Sequence, residues 1–328
     1  MTLQYSGYEA VRRACGIVDR RQAGRLRARG TDAVSWLQGM VSNDIYALTP
    51  EHPRIQAFVL NATGHIETDL VVVKEPNGDL LLDLPGSETD RIYSLLDRYI
   101  VSEDVDLEDA SAATSALSVQ GPLAESTWRA AQAALAGDSP AAAVTVVPAD
   151  HTGSGGLDLY MPAARFEAVW KALISSGAVV TLNEDAELLR IEAGIPKLGA
   201  EIDSSVLALE ADPALRMVSL TKGCYVGQEI VARIHSRGHT NRSLAGFLVI
   251  AGSAPEPGEQ IALRDDAQRR EIGRVTSSAF SSPAARGAAI ALGYLRHEAC
   301  AAGAHLTTIR NAELQVVDLP FYKKDTRE

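Results

Sequence analysis

Residues 221–234 read TKGCYVGQEIVARI. A lysine, a cysteine, two glycines, a glutamine and a glutamate stand ahead of an apolar run, a mixture that a plain core element does not use. Gly223 and Gly227 bracket Cys224, so the backbone there can turn tightly or approach a ligand closely. Lys222 brings a cation two residues from the thiol, which favours the thiolate. The competing reading of Cys224 is a buried cysteine acting as a small hydrophobe. Upstream, LLRIEAGIPKLGAEID sets Arg190 and Glu192 inside an otherwise apolar helix end. A guanidinium forks onto carboxylates, so Arg190 suits an acidic ligand as well as an internal ion pair. Asp69 follows the turn NATG and leads into the apolar strand LVVVK. A carboxylate there is either an ordinary edge residue or the partner of an amidine-like N–H edge and a handler of protons.

Other chemistries lack their motifs. The chain contains no G-x-G-x-x-G opening a strand–helix unit, no G-x-x-x-x-G-K-[ST] and no G-x-S-x-G elbow. His235 and His239 stand four apart, but Gly238 between them argues against one helix face, and a solvated basic loop is the default. The three cysteines, Cys15, Cys224 and Cys300, form no C-x-x-C pair, so neither a disulfide framework nor a self-contained metal site is expected. With 31 basic against 42 acidic residues the net charge is −11, which disfavours direct nucleic-acid binding. No apolar run has the length of a membrane span, and the N-terminus lacks a signal-like apolar core. A cytoplasmic protein with no membrane partner is the expectation.

The elements that must position these residues follow from periodicity and turn residues. TDAVSWLQGMV predicts a helix capped by Thr31, with Val34, Leu37, Met40 and Val41 on one face. Three strands follow in RIQAFVLNATGHIETDLVVVKEPNGDLLLDLPG, separated by NATG and PNG. SETDRIYSLLDRYIV predicts a helix with Ser87 and Asp90 as a loose capping box and Ile92, Leu95, Leu96 and Tyr99 as its buried stripe. Strand SALSVQG precedes an Ala-rich helix ending at Gly137. Strand LDLYMP, helix AARFEAVWKALISSG, strand AVVTL and helix NEDAELLRIEAG complete the body. Past Asn241 the chain becomes short strands between Gly, Pro and Ser turns, the pattern of a small antiparallel barrel. The division expected is a mixed body over 1–240, a barrel over 241–322 and a frayed tail over 323–328.

Lys222 to Glu229, KGCYVGQE, resembles the K-G-C-[YF]-x-G-Q-E signature of the YgfZ family, folate-binding relatives of the glycine-cleavage aminomethyltransferase (T-protein). WLQGMVSNDI, LNATGHIETDLVV, TGSGGLDLYMP with its following helix, and LLRIEAGIPKLGAEID resemble further motifs of that superfamily, in order along nearly the whole chain. Three departures stand out. The paired acids of the aminomethyltransferases are Thr68 and Asp69 here, so one acid remains. Ser154 and Gly155 replace the acids of T-G-E-D-G. The aminomethyltransferases also lack the K-G-C-Y-x-G-Q-E signature.

The resemblance implies an α+β fold, an aminomethyltransferase-like multi-domain ring of mixed α+β domains with a C-terminal antiparallel β-barrel. It implies tetrahydrofolate or a one-carbon derivative as cofactor. Assistance to the assembly or repair of iron–sulfur enzymes is the expected role, with client proteins or assembly factors as partners and an indirect effect on tRNA modification. Cys224, Lys222 and Asp69 are the expected catalytic residues. Asp69, Arg190, Glu192, Tyr225, Gln228, Glu229 and Arg233 are the expected cofactor contacts, and no metal site is expected. Two alternatives stay open: a folate-dependent aminomethyl- or methyltransferase, and a non-catalytic adaptor that uses folate only for stability.

Overall fold

The computed structural model describes residues 6–135, 144–212, 214–280 and 283–323. Two compact units form. The first comprises Met1–Val59, Thr68–Ala186 and Thr221–Val226; the second comprises Leu60–Glu67, Glu187–Leu220 and Gly227–Glu328.

The first unit opens with α1 (Gly7–Arg13), capped by the Ser6 hydroxyl and Glu9. β1 (Gly16–Asp19), β2 (Gly24–Arg29) and α2 (Ala33–Met40) follow. The three expected strands are β3 (Arg54–Leu60), β4 (Ile66–Lys74) and β5 (Leu80–Leu84), and the next helix is α3 (Thr89–Asp97). Then come β6 (Asp106–Asp109), β7 (Thr114–Gln120) and α4 (Ala124–Ala134). β8 (Thr145–Pro148), β9 (Gly156–Pro162), α5 (Phe166–Ser175) and β10 (Val179–Val180) end this run. The strands make two five-stranded sheets, ordered β10-β1-β7-β9-β8 and β3-β4-β5-β2-β6. Leu26, Leu37, Val72, Leu82, Ile92 and Leu96 pack on one side of the second sheet. On its other side Val71, Val73 and Leu81 meet Ala116, Val147 and Tyr160 of the first sheet. That second contact positions the site.

In the second unit, α6 (Asn183–Glu192) contributes its C-terminal half, followed by α7 (Ala208–Ala211) and α8 (Gln228–Arg237). The barrel consists of β11 (Arg242–Ala251), β12 (Gln260–Leu263), β13 (Gly273–Ala279), β14 (Ile290–Arg296), β15 (His305–Thr308) and β16 (Glu313–Val317). It closes in the order β11-β14-β13-β12-β15-β16 around Phe247, Ile261, Leu295, Leu306 and Leu314. The chain thus combines mixed α+β domains with a closed six-stranded antiparallel barrel at the C-terminal end.

Several local expectations are corrected. Thr31 does not cap α2; its hydroxyl and N–H bond Asp104, and Asp32 sits at the cap with its carboxylate accepting from the Asp104 N–H at 2.8 Å instead of from the helix. Ser87 and Asp90 form no capping box, because a short 3₁₀ turn runs through Ser87 into α3. Tyr99 lies beyond α3 and is 45% exposed. The expected helix end at Gly137 and tail residues 324–328 lie outside the described residues.

Candidate functional site

Asp69 owes its setting to the period of two along β4, which puts it on the same face as Val71 and Val73. Val71 pairs with Asp83 of β5, so Asp83 shares that face, diagonal to Asp69. The face packs against Tyr160, and the Asp69 carboxyl is half-buried there. Its Oδ1 is inaccessible and has no hydrogen-bond partner among the described residues. Burial is the main cause that pushes its pKa up, to about 6; the Asp83 charge adds to this, while its own N–H and Arg20 act the other way.

Around it lies a network that sequence reasoning missed. Arg20 reaches between two buried acids, Nη2 to Asp83 Oδ2 at 2.8 Å and Nη1 to Asp158 Oδ2 at 2.9 Å. The Tyr160 hydroxyl donates to Asp83 Oδ2 at 2.7 Å. His151, partly open to solvent, holds Asp158 through Nε2 at 2.9 Å. Despite burial, His151 and Arg20 hold the Asp158 carboxyl well below its ordinary range. Asp83 Oδ1 and the Arg54 Nε and Nη2 are also buried without hydrogen-bond partners among the described residues. One signal was present in the sequence: single acids inside the apolar strands LLLDL and GLDLYMP. Ser154, which stands in place of a family acid, accepts from Arg12 Nη1 at 2.7 Å.

The loop of Thr221–Val226 belongs to the same unit. Lys222 is buried, and its Nζ donates to the carbonyls of Gln38 at 2.6 Å, Val41 at 2.7 Å and Asn43 at 2.7 Å. These carbonyls lie at and just past the C-terminal end of α2, where a cation is favoured. All three ammonium hydrogens hold the loop to α2. Burial pushes its pKa down to about 8, with Asp44 opposing. Cys224 is exposed, against the buried-core reading. Tyr225 is buried, its ring centroid 5.0 Å from Lys222 Nζ. Its hydroxyl has no hydrogen-bond partner among the described residues, and burial pushes its pKa up to about 12.

The remaining candidates sit in the second unit. Gln228 opens α8, half-buried; Glu229 and Arg233 are exposed and pair with each other at 2.6 Å. Gly227 has φ +84°, and a Cβ there would meet the Asn61 carbonyl at 2.7 Å, so the α8 start and the NATG turn require glycine. Arg190, an expected ligand contact, has its five N–H donors engaged within its own unit. Nε and Nη2 bond Glu187, Nη1 bonds the Ile195 carbonyl and Glu201, and Nη2 also bonds Ser277. Glu192 is wholly buried and accepts from the Ala284 N–H at 3.3 Å. His235 lies in α8 and His239 beyond its glycine cap, stacked on His297. Among the described residues no cluster of three or more His, Cys, Asp or Glu could hold a metal. None of their helices is long and apolar enough to cross a membrane.

This fold defines a class. Residues 4–222 match the GCVT N-terminal domain, and residues 242–323 match the glycine cleavage T-protein C-terminal barrel domain. The chain belongs to the glycine cleavage T-protein (aminomethyltransferase) family. It is 27% identical to an aminomethyltransferase of Caldanaerobacter subterraneus over 98% of this chain and 89% of that relative. It is 28% identical to one of Geobacillus kaustophilus over 99% and 93%. The glycine cleavage system aminomethyltransferase T of Bartonella henselae has the same fold, with a TM-score of 0.84 over 97% of this chain and 89% of that one, at 19% identity.

Proposed function

We propose that the protein binds a tetrahydrofolate or a one-carbon derivative at the face carrying Asp69, and serves iron–sulfur enzymes in the manner of the YgfZ branch. Its effect on tRNA modification would run through those enzymes. The observation that carries the ligand half is the Asp69 carboxyl, half-buried with an unpartnered Oδ1. A buried polar atom left without a partner is rare and suits a ligand that brings an N–H edge. The unpartnered Arg54 donors fit a ligand that also brings acceptors. When bound, the folate supplies the nitrogens that carry or receive a one-carbon unit. Asp69 would orient its N–H edge and hold or release a proton at Oδ1, its pKa of about 6 lying near working pH. Support for the branch comes from the exposed Cys224, presented on a loop that Lys222 fixes from inside, within an unbroken K-G-C-Y-x-G-Q-E signature.

A second reading is folate-dependent aminomethyl transfer. The named relatives back it more directly than the first, since they are aminomethyltransferases aligned along nearly the whole chain. Asp69 is the carboxylate such a transfer requires. One set of experiments separates the readings. Saturating tetrahydrofolate raises the unfolding midpoint under both, because a ligand of the native state stabilises it; an unmoved midpoint in folded protein removes the folate. Complementation of a strain lacking its own YgfZ-type protein, lost with Cys224→Ser, supports the first reading. Turnover of aminomethylated carrier protein, retained by Cys224→Ser, supports the second. Full complementation by Cys224→Ser, without turnover, favours a folate-stabilised adaptor.

A further inference from the structure

We infer that Gln38 and Asp44 are positioning residues for Cys224: they hold the segment after α2 as a ring of main-chain carbonyls that clamps the Cys224 loop on both sides of the thiol. This deepens the reading of Cys224 as the functional thiol and rests on it. The test reads the loop before it reads function, so the two can fail separately.

Two stretches far apart in the sequence, WLQGMVSND and KGCYV, meet within the first unit. The last carbonyls of a helix have no partner inside it and need one from elsewhere. The buried Gln38 side chain ties the end of α2 to the residues that follow, as an amide that both donates and accepts. Its Nε2 donates to Asp44 Oδ1 at 2.8 Å, and its Oε1 accepts from the Ile45 N–H at 2.7 Å. Asp44 Oδ1 also accepts from the Tyr46 N–H at 3.1 Å. The segment is bound to β3 as well. The Ser42 N–H donates to the Phe58 carbonyl at 2.9 Å, and Asn43 Nδ2 donates to the Gln56 carbonyl at 2.8 Å. Held in this way, the carbonyls of Gln38, Val41 and Asn43 converge on Lys222 Nζ at 2.6, 2.7 and 2.7 Å. The Gly39 carbonyl accepts from the Val226 N–H at 3.1 Å. One anchor lies two residues before Cys224 and the other two residues after it, with the thiol exposed between them. A loop fixed at both ends presents its thiol in one place and leaves little ordering to be done when a partner docks.

The test is hydrogen–deuterium exchange of Gln38→Leu, which keeps the main-chain carbonyl and removes both side-chain bonds. The Val226 amide is expected to exchange about tenfold faster than in the native protein, while the Val72 and Leu82 amides of the sheet keep their rates. Asp44→Asn, which retains the accepting oxygen, should keep the native Val226 rate, and Asp44→Ala should not. An unchanged Val226 rate in folded Gln38→Leu overturns the inference. So does equal acceleration at all three amides, which is loss of stability alone. If the variants do not fold, the native protein decides: a Val226 amide exchanging as fast as an unstructured one overturns the clamp, and one as slow as the Val41 amide supports it. Function is read last, by complementation of the strain lacking its own YgfZ-type protein. Folded Gln38→Leu should fail there as Cys224→Ser does, yet keep the rise in unfolding midpoint with tetrahydrofolate. A released loop with full complementation overturns the positioning role if Cys224→Ser fails; if Cys224→Ser also complements, the proposed function of the thiol falls instead and the clamp stands.

Discussion

Replacing Lys222 by methionine separates a structural cation from a thiol-tuning one. The ammonium donates to three carbonyls at 2.6, 2.7 and 2.7 Å, and methionine fills its space without donating. Hydrogen bonds from a charged donor contribute about 1.5–3 kcal/mol each, and a buried carbonyl stranded without one costs about 1–3 kcal/mol. Three such bonds on one ion are not additive, and the cost of burying the charge offsets part of them. The fall of the Lys222 pKa from 10.5 to about 8 puts that offset at about 3 kcal/mol. The net loss expected for Lys222→Met is about 3–5 kcal/mol, the range for removing one partner of a buried charged contact. The three tryptophans, Trp36, Trp128 and Trp170, all lie in the first unit, and Trp36 is in α2 itself. Urea unfolding followed by tryptophan fluorescence therefore reports the unit in which the lysine acts. Alkylation of Cys224 in the folded variant should be no slower than in the native protein, since the loop is released while the thiol stays exposed. A loss below about 1 kcal/mol, together with slower alkylation, would refute the structural role and restore Lys222 as a modulator of the thiol.

Arg190→Ala should destabilise the second unit by about 3–5 kcal/mol, since it strands the buried Glu201. Arg233→Ala on the α8 surface should cost under about 1 kcal/mol; equal melting temperatures by circular dichroism would return Arg190 to the ligand contacts. Asp69→Asn should stabilise the protein at pH 7 by about 1–3 kcal/mol and leave it unchanged near pH 4. The native carboxyl keeps its proton up to about 6 while the unfolded one releases it near 3.8, so the stability that protonation supplies is lost as pH rises across that window. Denaturation midpoints of both proteins from pH 4 to 7 check this, and parallel curves would exclude a raised Asp69 pKa. Alkylation of the native protein should label Cys224 first. Cys15 is buried with its pKa pushed up to about 11, and Cys300 is partly buried with its pKa raised. Mass spectrometry finding Cys15 labelled first would reverse that order.

The barrel and the β3–β4–β5 meander were legible because their turns are local: NATG, PNG and the Gly- and Pro-rich joints punctuate short apolar strands. The helix Gln228–Arg237 was ambiguous because its ends are written in glycine. Gly227 and Gly238 take left-handed conformations at its two caps, and Gly238 stops the helix before His239. The roles of Lys222 and Arg190 were not legible, because their partners are distant or backbone. The carbonyl of Gln38 is 184 residues from Lys222, and a carbonyl carries no side-chain signature. Arg190 finds Ser277 87 residues away, on a barrel strand. Asp69 was singled out through its turn. Asp83 and Asp158 were passed over, although a lone acid in an apolar strand has to be paired when the strand is buried on both faces.

Where the unmet polar atoms fall bears on which unit holds the site. Among the described residues, the buried side-chain atoms without a hydrogen bond include Asp69 Oδ1, Asp83 Oδ1, Arg54 Nε and Nη2, and Tyr225 Oη. All of these belong to the first unit, which also carries the exposed Cys224. In the second unit the only such atom among the described residues is Asp212 Oδ1, whose carboxylate already accepts from the Met217 N–H through Oδ2. The arginine expected to grip a ligand there is fully engaged by its own unit. A fold shaped for stability alone would pair or remove such groups, since each costs free energy when buried. Natural proteins keep a cost of this kind where binding or chemistry offsets it. The first unit pairs Arg20, Asp158 and Tyr160 fully enough to hold the face rigid, and leaves open the Asp69 atom that a polar ligand would satisfy. On that reasoning the polar edge of the proposed ligand would be read by the sheet face of β4 and β5.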